Sequence, residues 1–256
     1  MKKVLKNIIY SLWRKMGLSS FIYAETSKYL NPIDLAAEFI CTEQIVGDYL
    51  EFGVFKGDSF IDAYHKIENT IKDWSSKERA YMAYSNKLLA EEAFSKIIPM
   101  SLRYFAFDSF QGLPQPQGID CNHARFAKGR YDCNEKEFKR ILHKNKVNLN
   151  KVVTIPGYYN TSLLPEVKKR HQIKSASIIM IDCDLYESAK IVLDFITDLV
   201  IDGTVIIFDD WFSYRGNPNF GERRACQEWL NKNSNFSLTE FARWGITQNS
   251  FIVHKR

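Results

Sequence analysis

Three short apolar runs in this chain, Arg103–Phe107, Ser177–Ile181 and Thr204–Phe208, each stop at an aspartate. A fourth, Tyr49–Val54, carries Glu51 and turns through Gly53 and Gly57. Runs this short, rich in β-branched and aromatic residues, predict buried strands rather than helices. Val152–Ile155 reads the same way, and Phe236–Phe241 with Ser250–His254 read as a C-terminal antiparallel pair. Helical segments fall between several strands: Gly57-Asp58-Ser59 opens one that runs to about residue 70, and Ser188–Val200 and Glu222–Leu230 are others. A further helix starts after Asn31-Pro32, since proline suits the first helical turn, and stops before Gly47. Alternating strands and helices predict an α/β fold, a mostly parallel seven-stranded sheet with helices on both faces. Ligands of such sheets bind at the carboxyl ends of the strands, near the switch in strand order. The acids of this chain fall there.

Charge narrows the function classes. The formal +5 comes from 35 Lys+Arg against 30 Asp+Glu, and Lys2, Lys3, Lys6, Arg14 and Lys15 precede the first acid, Glu25. Without those five cations the chain is formally neutral, which excludes a whole-surface nucleic-acid binder. With 45% hydrophobic and 25% charged residues it is neither disordered nor fibrous, and no apolar run approaches the roughly 18 residues of a spanning helix. Cys41, Cys121, Cys133, Cys183 and Cys226 are odd in number and scattered, which argues against a disulfide framework or zinc module and for a reducing cytoplasm. The opening MKK resembles a secretory leader, but Arg14-Lys15 interrupts the apolar stretch.

Residues 1–46 are expected to form an N-terminal helical segment and 47–256 the main domain, with a polar helical insertion at about 66–101 in which Leu88, Leu89, Phe94, Ile97 and Ile98 form a stripe. Leu5, Ile8, Ile9, Leu12, Trp13 and Met16 share one helical face, with the cations mostly opposite. This helix is expected to pack on the body or on a partner subunit, favouring a homo-oligomer; the alternative is peripheral contact of residues 1–16 with an anionic membrane surface.

The strand-end residues suggest chemistry. Gly53 and Gly57 let backbone approach a ligand at a helix N-terminus, but their G-x-x-x-G spacing misses the dinucleotide fingerprint. Glu51, two residues before Gly53, suits a cationic amine. Asp108 is placed to accept two ribose hydroxyls, although a turn or cap role fits it equally. Asp182, Asp184, Asp209 and Asp210 at two strand ends would repel one another in a dry site, and an oxygen-binding divalent cation removes that cost.

Together these strings resemble the macrocin O-methyltransferase family, metal-dependent sugar methyltransferases that use S-adenosylmethionine. The matching pieces are Leu50-Glu51-Phe52-Gly53-Val54 with Gly57, Phe107–Pro114, Ile181–Ser188 and Asp209-Asp210. The resemblance implies a Rossmann-like class I methyltransferase fold. It implies that Glu51, Gly53, Val54, Phe55, Gly57 and Ser59 surround the methionine part of the cofactor. Asp108 would hold its ribose, and Ser109, Gly157 and Tyr158 would lie beside the adenine. Asp182, Asp209 and Asp210 would bind Mg2+. Asp182 is the first candidate for the base that takes the acceptor's proton, Asp184 the second and His123 a distant third. The implied acceptor is a small-molecule or glycan-type hydroxyl. The loop from Gln111 to Cys133, read as a lid, would contact it through Arg125, Phe126 and Tyr131, with Tyr158, Tyr159 and Trp211 as further candidates.

The chain departs from the family at Gly57-Asp58-Ser59-Phe60, where a second glycine is common. Asp184 also stands where catechol-type enzymes carry a lysine. The strongest rival is a metal-dependent glycosyltransferase using a nucleotide sugar, because Asp182-Cys183-Asp184 fits the D-x-D pattern. That reading leaves Glu51-x-Gly53 and Asp209-Asp210 unexplained.

Overall fold

A computed structural model describes residues 31–75, 100–122 and 125–256. The expected helix at 2–16, the stripe from Leu88 to Ile98 and His123 lie outside these residues. Among the described residues, no helix is long and apolar enough to cross a membrane.

Seven strands form one sheet: β1 (Asp48–Phe52), β2 (Tyr104–Asp108), β3 (Val152–Pro156), β4 (Ala176–Ile181), β5 (Val200–Phe208), β6 (Phe236–Trp244) and β7 (Gln248–Lys255). Their order is β3-β2-β1-β4-β5-β7-β6. The first five are parallel, and β7 pairs antiparallel with both β5 and β6. The order reverses between β1 and β4, so the crevice expected of such sheets opens where Gly53 lies against Asp182.

Strand side chains alternate between two cores, one on each face. Tyr49, Tyr104, Ile178 and Ile207 pack with α1 (Pro32–Thr42), α2 (Asp58–Trp74) and α3 (Glu135–Lys144). Leu50, Phe52, Phe107, Ile179 and Phe208 pack with α6 (Tyr186–Ile196) and α7 (Gly221–Lys232). Two short helices, α4 (Tyr159–Ser162) and α5 (Pro165–His171), lie between β3 and β4. With both faces covered, β1 and β4 are buried along their whole length, which explains their unbroken apolar texture.

Several boundaries differ from the sequence reading. α2 runs four residues further, to Trp74, and α3, α4 and α5 are helices that the periodicity does not single out. α6 stops at Ile196, and Val200, expected at its end, begins β5 instead. The cause is tertiary: Val200 pairs with Ala176, and the register then shifts before Ile178↔Val205. Gly203 supplies the positive φ of 88° at that irregularity, with Ile45 packed where its side chain would be. α1 packs in the same core as the sheet, within the unit Pro32–Arg256.

Trp229 anchors α7 away from the crevice, stacked on Phe236 at 5.1 Å with its Nε1–H donated to Thr197 Oγ1 at 2.9 Å. Trp229→Ala is expected to lower unfolding free energy by about 3–5 kcal/mol in urea titrations while leaving ligand affinity unchanged.

Candidate active site

The strand ends surround a cavity of about 620 Å3. Gly53, Phe55, Asp108, Ser109, Tyr158, Asp182, Asp184, Asp209 and Asp210 line it. The remaining predicted residues, Glu51, Val54, Gly57, Ser59 and Gly157, are not among those that line it.

On the β1 side, Gly53 has φ +90°, and a side chain there would meet the Asp182 carbonyl oxygen at 1.8 Å. Only glycine fits. Glu51 is 0% exposed; its carboxylate accepts the Tyr49 hydroxyl on one oxygen and Ser59 Oγ on the other, at 2.6 Å. Burial pushes its pKa up to about 7 against the pull of those two donors. Asp48, on the same strand, shows the contrast: Arg103 pairs with it at 2.6 Å. Glu51 has the neutral donors Tyr49 and Ser59 instead. Gly57 faces the Phe138 ring rather than the cavity, so its role is to bring α2 against α3.

Asp108 joins two loops. One oxygen accepts the Val54 and Phe55 N–H groups at 2.8 and 3.2 Å, and the other accepts Phe110 N–H at 2.7 Å. Burial raises its pKa although these bonds oppose the shift. These three bonds hold the turns after β1 and β2 together at the cavity wall. Ser109 Oγ is used within its own turn, donating to the Gly112 carbonyl at 2.7 Å and accepting from Gln111 N–H. Gly157, at φ +131°, donates its N–H to the Asp108 carbonyl.

On the β4 and β5 side, Asp182, Asp184 and Asp210 each offer an oxygen within 4.8 Å of the others. The expected trio differed by one member: the Asp209 carboxylate accepts from the Gln248 side chain of β7. Burial raises the Asp182, Asp184 and Asp209 carboxyls, with neighbouring acids adding to the effect; Asp184 reaches about 9 and Asp209 about 6. Arg125, 53% exposed, approaches Asp210 at 3.6 Å and donates to Ser213 Oγ at 3.0 Å. Ser213 Oγ in turn donates to Asp210. Asp184 also holds a left-handed φ of 62°, as do Phe55 (42°) and Tyr131 (59°), which line the same cavity. Strain of this kind costs about 1–3 kcal/mol per residue and persists where surrounding structure enforces it.

The loop from 111 to 133 is tied rather than loose. Leu113 and Arg130 join across its neck, Leu113 N–H donating to the Arg130 carbonyl at 2.9 Å. Asp120, 1% exposed, accepts the N–H groups of Tyr186 (2.9 Å) and Glu187 (3.2 Å) and the Tyr214 hydroxyl (3.0 Å). It caps α6 from 66 residues away, replacing the side-chain cap that Leu185 does not provide. No local pattern announces Asp120, Gln248 or Glu222, whose contacts are made across the chain. Of the aromatic candidates, Phe126, Tyr131, Tyr158 and Tyr159 line the cavity. Trp211 packs on Phe208 and Phe251 at 4.9 and 4.6 Å.

Residues 91–234 match the profile of the family described as Macrocin-O-methyltransferase (TylF), which is more than half of the chain. The chain belongs to the macrocin O-methyltransferase family. It is an S-adenosylmethionine-dependent O-methyltransferase, and this membership removes the glycosyltransferase reading of Asp182-Cys183-Asp184. The family match begins after the Glu51–Ser59 loop.

The fold agrees with that assignment. The O-methyltransferase NovP aligns at TM-score 0.62 and 20% identity over 90% of this chain and 80% of its own. CalS11, titled a calicheamicin methyltransferase, aligns at 0.59 and 19% over 98% and 89%. An apo structure of CalS11, titled a TDP-rhamnose 3'-O-methyltransferase, aligns at 0.50 and 18% over 86% and 77%. No curated protein matches the chain. The seven-stranded class I methyltransferase sheet read from the sequence is the observed one.

Two outcomes follow from this geometry. Asp120→Ala, which removes three hydrogen bonds and a helix cap, is expected to cost about 3 kcal/mol of stability, measured by chemical denaturation. Glu51, Asp184 and Asp209 keep protons in the folded chain that the unfolded chain releases near 4.5 for glutamate and 3.8 for aspartate. Their contribution to stability is therefore full below those values and is lost as pH rises through about 6, 7 and 9. In divalent-free buffer, Tm is expected to fall between about pH 5.5 and 8.5, with added Mg2+ restoring more at the higher pH. A Tm that rises over that interval would contradict the charge assignment.

Proposed function

We propose that the enzyme transfers the methyl group to a hydroxyl of a sugar or glycan-type acceptor, assisted by a divalent cation for which Mg2+ is the best fit. The observation that carries this reading is charge. Asp182, Asp184, Asp209 and Asp210 line one wall, and the cation paired with them among the described residues is the half-exposed Arg125. An all-oxygen donor set of this kind fits a hard divalent cation. Asp182 and Asp210 would hold it, with Asp184 or Asp209 as the third ligand. When bound, the cation stabilises negative charge developing on the acceptor oxygen.

The chain's own residues divide the remaining work. Glu51 attracts the cofactor's ammonium group through the β1 loop, and Gly53 lets that loop's backbone close on it. Asp108 takes one ribose hydroxyl, and Ser109 and Tyr158 flank the adenine. Phe126, Tyr131 and Arg125 face the acceptor, since aromatic rings suit sugar faces and the guanidinium suits hydroxyls. The acceptor oxygen attacks the sulfonium methyl carbon in line with the carbon–sulfur bond, which breaks to leave S-adenosylhomocysteine. The hydroxyl proton passes to a carboxylate oxygen of Asp182 or Asp184. Both carboxylates line the cavity, which places them where an acceptor hydroxyl would stand. CalS11, described as acting on TDP-rhamnose, and the family name support a sugar acceptor.

Calorimetric titration is expected to show saturable S-adenosylmethionine binding in the absence of any nucleotide sugar. Chelation of divalent ions, or Asp210→Ala, is expected to lower turnover at least 100-fold while cofactor affinity stays within about threefold. Turnover that survives both would sink the cation's role.

A further inference from the structure

We infer that Glu222 is a positioning residue for Asp210, latching the loop between β5 and α7 so that the acidic wall holds the shape a divalent cation needs. The inference rests on the divalent-cation reading above.

Glu222 lies in the first turn of α7 and is 0% exposed. Its Oε2 accepts the backbone N–H of Asp210 at 2.9 Å, twelve residues earlier. Its Oε1 is the one buried side-chain oxygen or nitrogen without a hydrogen-bond partner among the described residues. An acid at the start of a helix gains its favourable dipole interaction while exposed, so helix formation does not account for burying this one. The contact that Glu222 does make is with Asp210.

The loop between them folds back on itself. Gly221 has φ +55°, and a side chain there would meet the Tyr214 ring at 2.9 Å. Tyr214 reaches Asp120, and Ser213 donates to the Asp210 carboxylate. Asp210 is thus held at both ends, its main chain by Glu222 and its side chain by Ser213. It is also the buried member of the Asp182, Asp184 and Asp210 group. Ligand carboxylates depend on such outer partners, whose loss costs about 10–100-fold in metal affinity.

Reach and charge can be separated by substitution. Glu222→Asp keeps the charge and shortens the side chain by one methylene, and Glu222→Gln keeps the reach and an accepting oxygen but loses the charge. Full-length protein saturated with S-adenosylhomocysteine is titrated with Mn2+, read by electron paramagnetic resonance, and S-adenosylhomocysteine affinity is measured separately. Positioning predicts that Glu222→Asp weakens Mn2+ binding at least about tenfold, that Glu222→Gln stays within about threefold of the parent, and that both bind S-adenosylhomocysteine like the parent. The reverse order, equal weakening in both variants, or parental Mn2+ affinity in both would overturn it. If the parent itself binds no Mn2+, the divalent-cation reading falls and this inference with it. A parent that binds tightly beside an unaffected Glu222→Asp variant overturns the inference alone.

Discussion

The carbonyl oxygen of Asp182 occupies the space that a side chain on Gly53 would need, and the site is arranged around that contact. β1 and β4 are neighbours where the sheet changes direction, tied by Asp182 N–H to the Phe52 carbonyl at 2.9 Å. Gly53 N–H reaches the Phe107 carbonyl at 2.8 Å on the other side. The loop assigned to the cofactor and the loop carrying the acidic wall are therefore fixed to one another by backbone, at a separation no side-chain rotamer sets. For a displacement that needs oxygen, carbon and sulfur in line, a main-chain reference of this kind supplies alignment before either substrate arrives.

Charge is distributed by a simple division. Acids with a scaffolding role are matched: Asp48 has Arg103, Asp120 has three donors, and Glu68 has Lys151 at 2.7 Å. At one wall of the crevice Asp182, Asp184, Asp209 and Asp210 stand together with Arg125 as the cation paired to Asp210, and burial drives the proton affinities of Asp182, Asp184 and Asp209 up. The protein stores an electrostatic imbalance there, of the kind that a cationic ligand relieves.

Much of this was legible in the sequence because parallel strands announce themselves. A strand buried on both faces reads as a continuous apolar run, so the first polar residue after it marks the ligand side of the sheet, as Asp108, Asp182 and Asp209 do. The turn after β1 was readable from its two glycines, although Gly57 faces the Phe138 ring rather than the cavity. What escaped was held by long-range contacts. Asp120 caps a helix 66 residues later, Gln248 reaches Asp209 from a strand that pairs last, and Glu222 reaches back across a loop. The segment 197–203 was ambiguous for another reason. Leu199, Val200 and Ile201 suit a helix end as well as a strand start, and pairing with Ala176 decides between them.

The strand order also gives the far edge a second duty. β7 lies between β5 and β6, although β6 precedes it in the chain. It covers the edge of β5 beside the strand end that carries Asp209 and Asp210, and β6 joins the sheet by pairing with it. Gln248, the first residue of β7, reaches the Asp209 carboxylate. The strand that protects the edge of the parallel sheet is thus also the one that braces the acidic wall, so the seal of the sheet and the shape of the site depend on the same pairing.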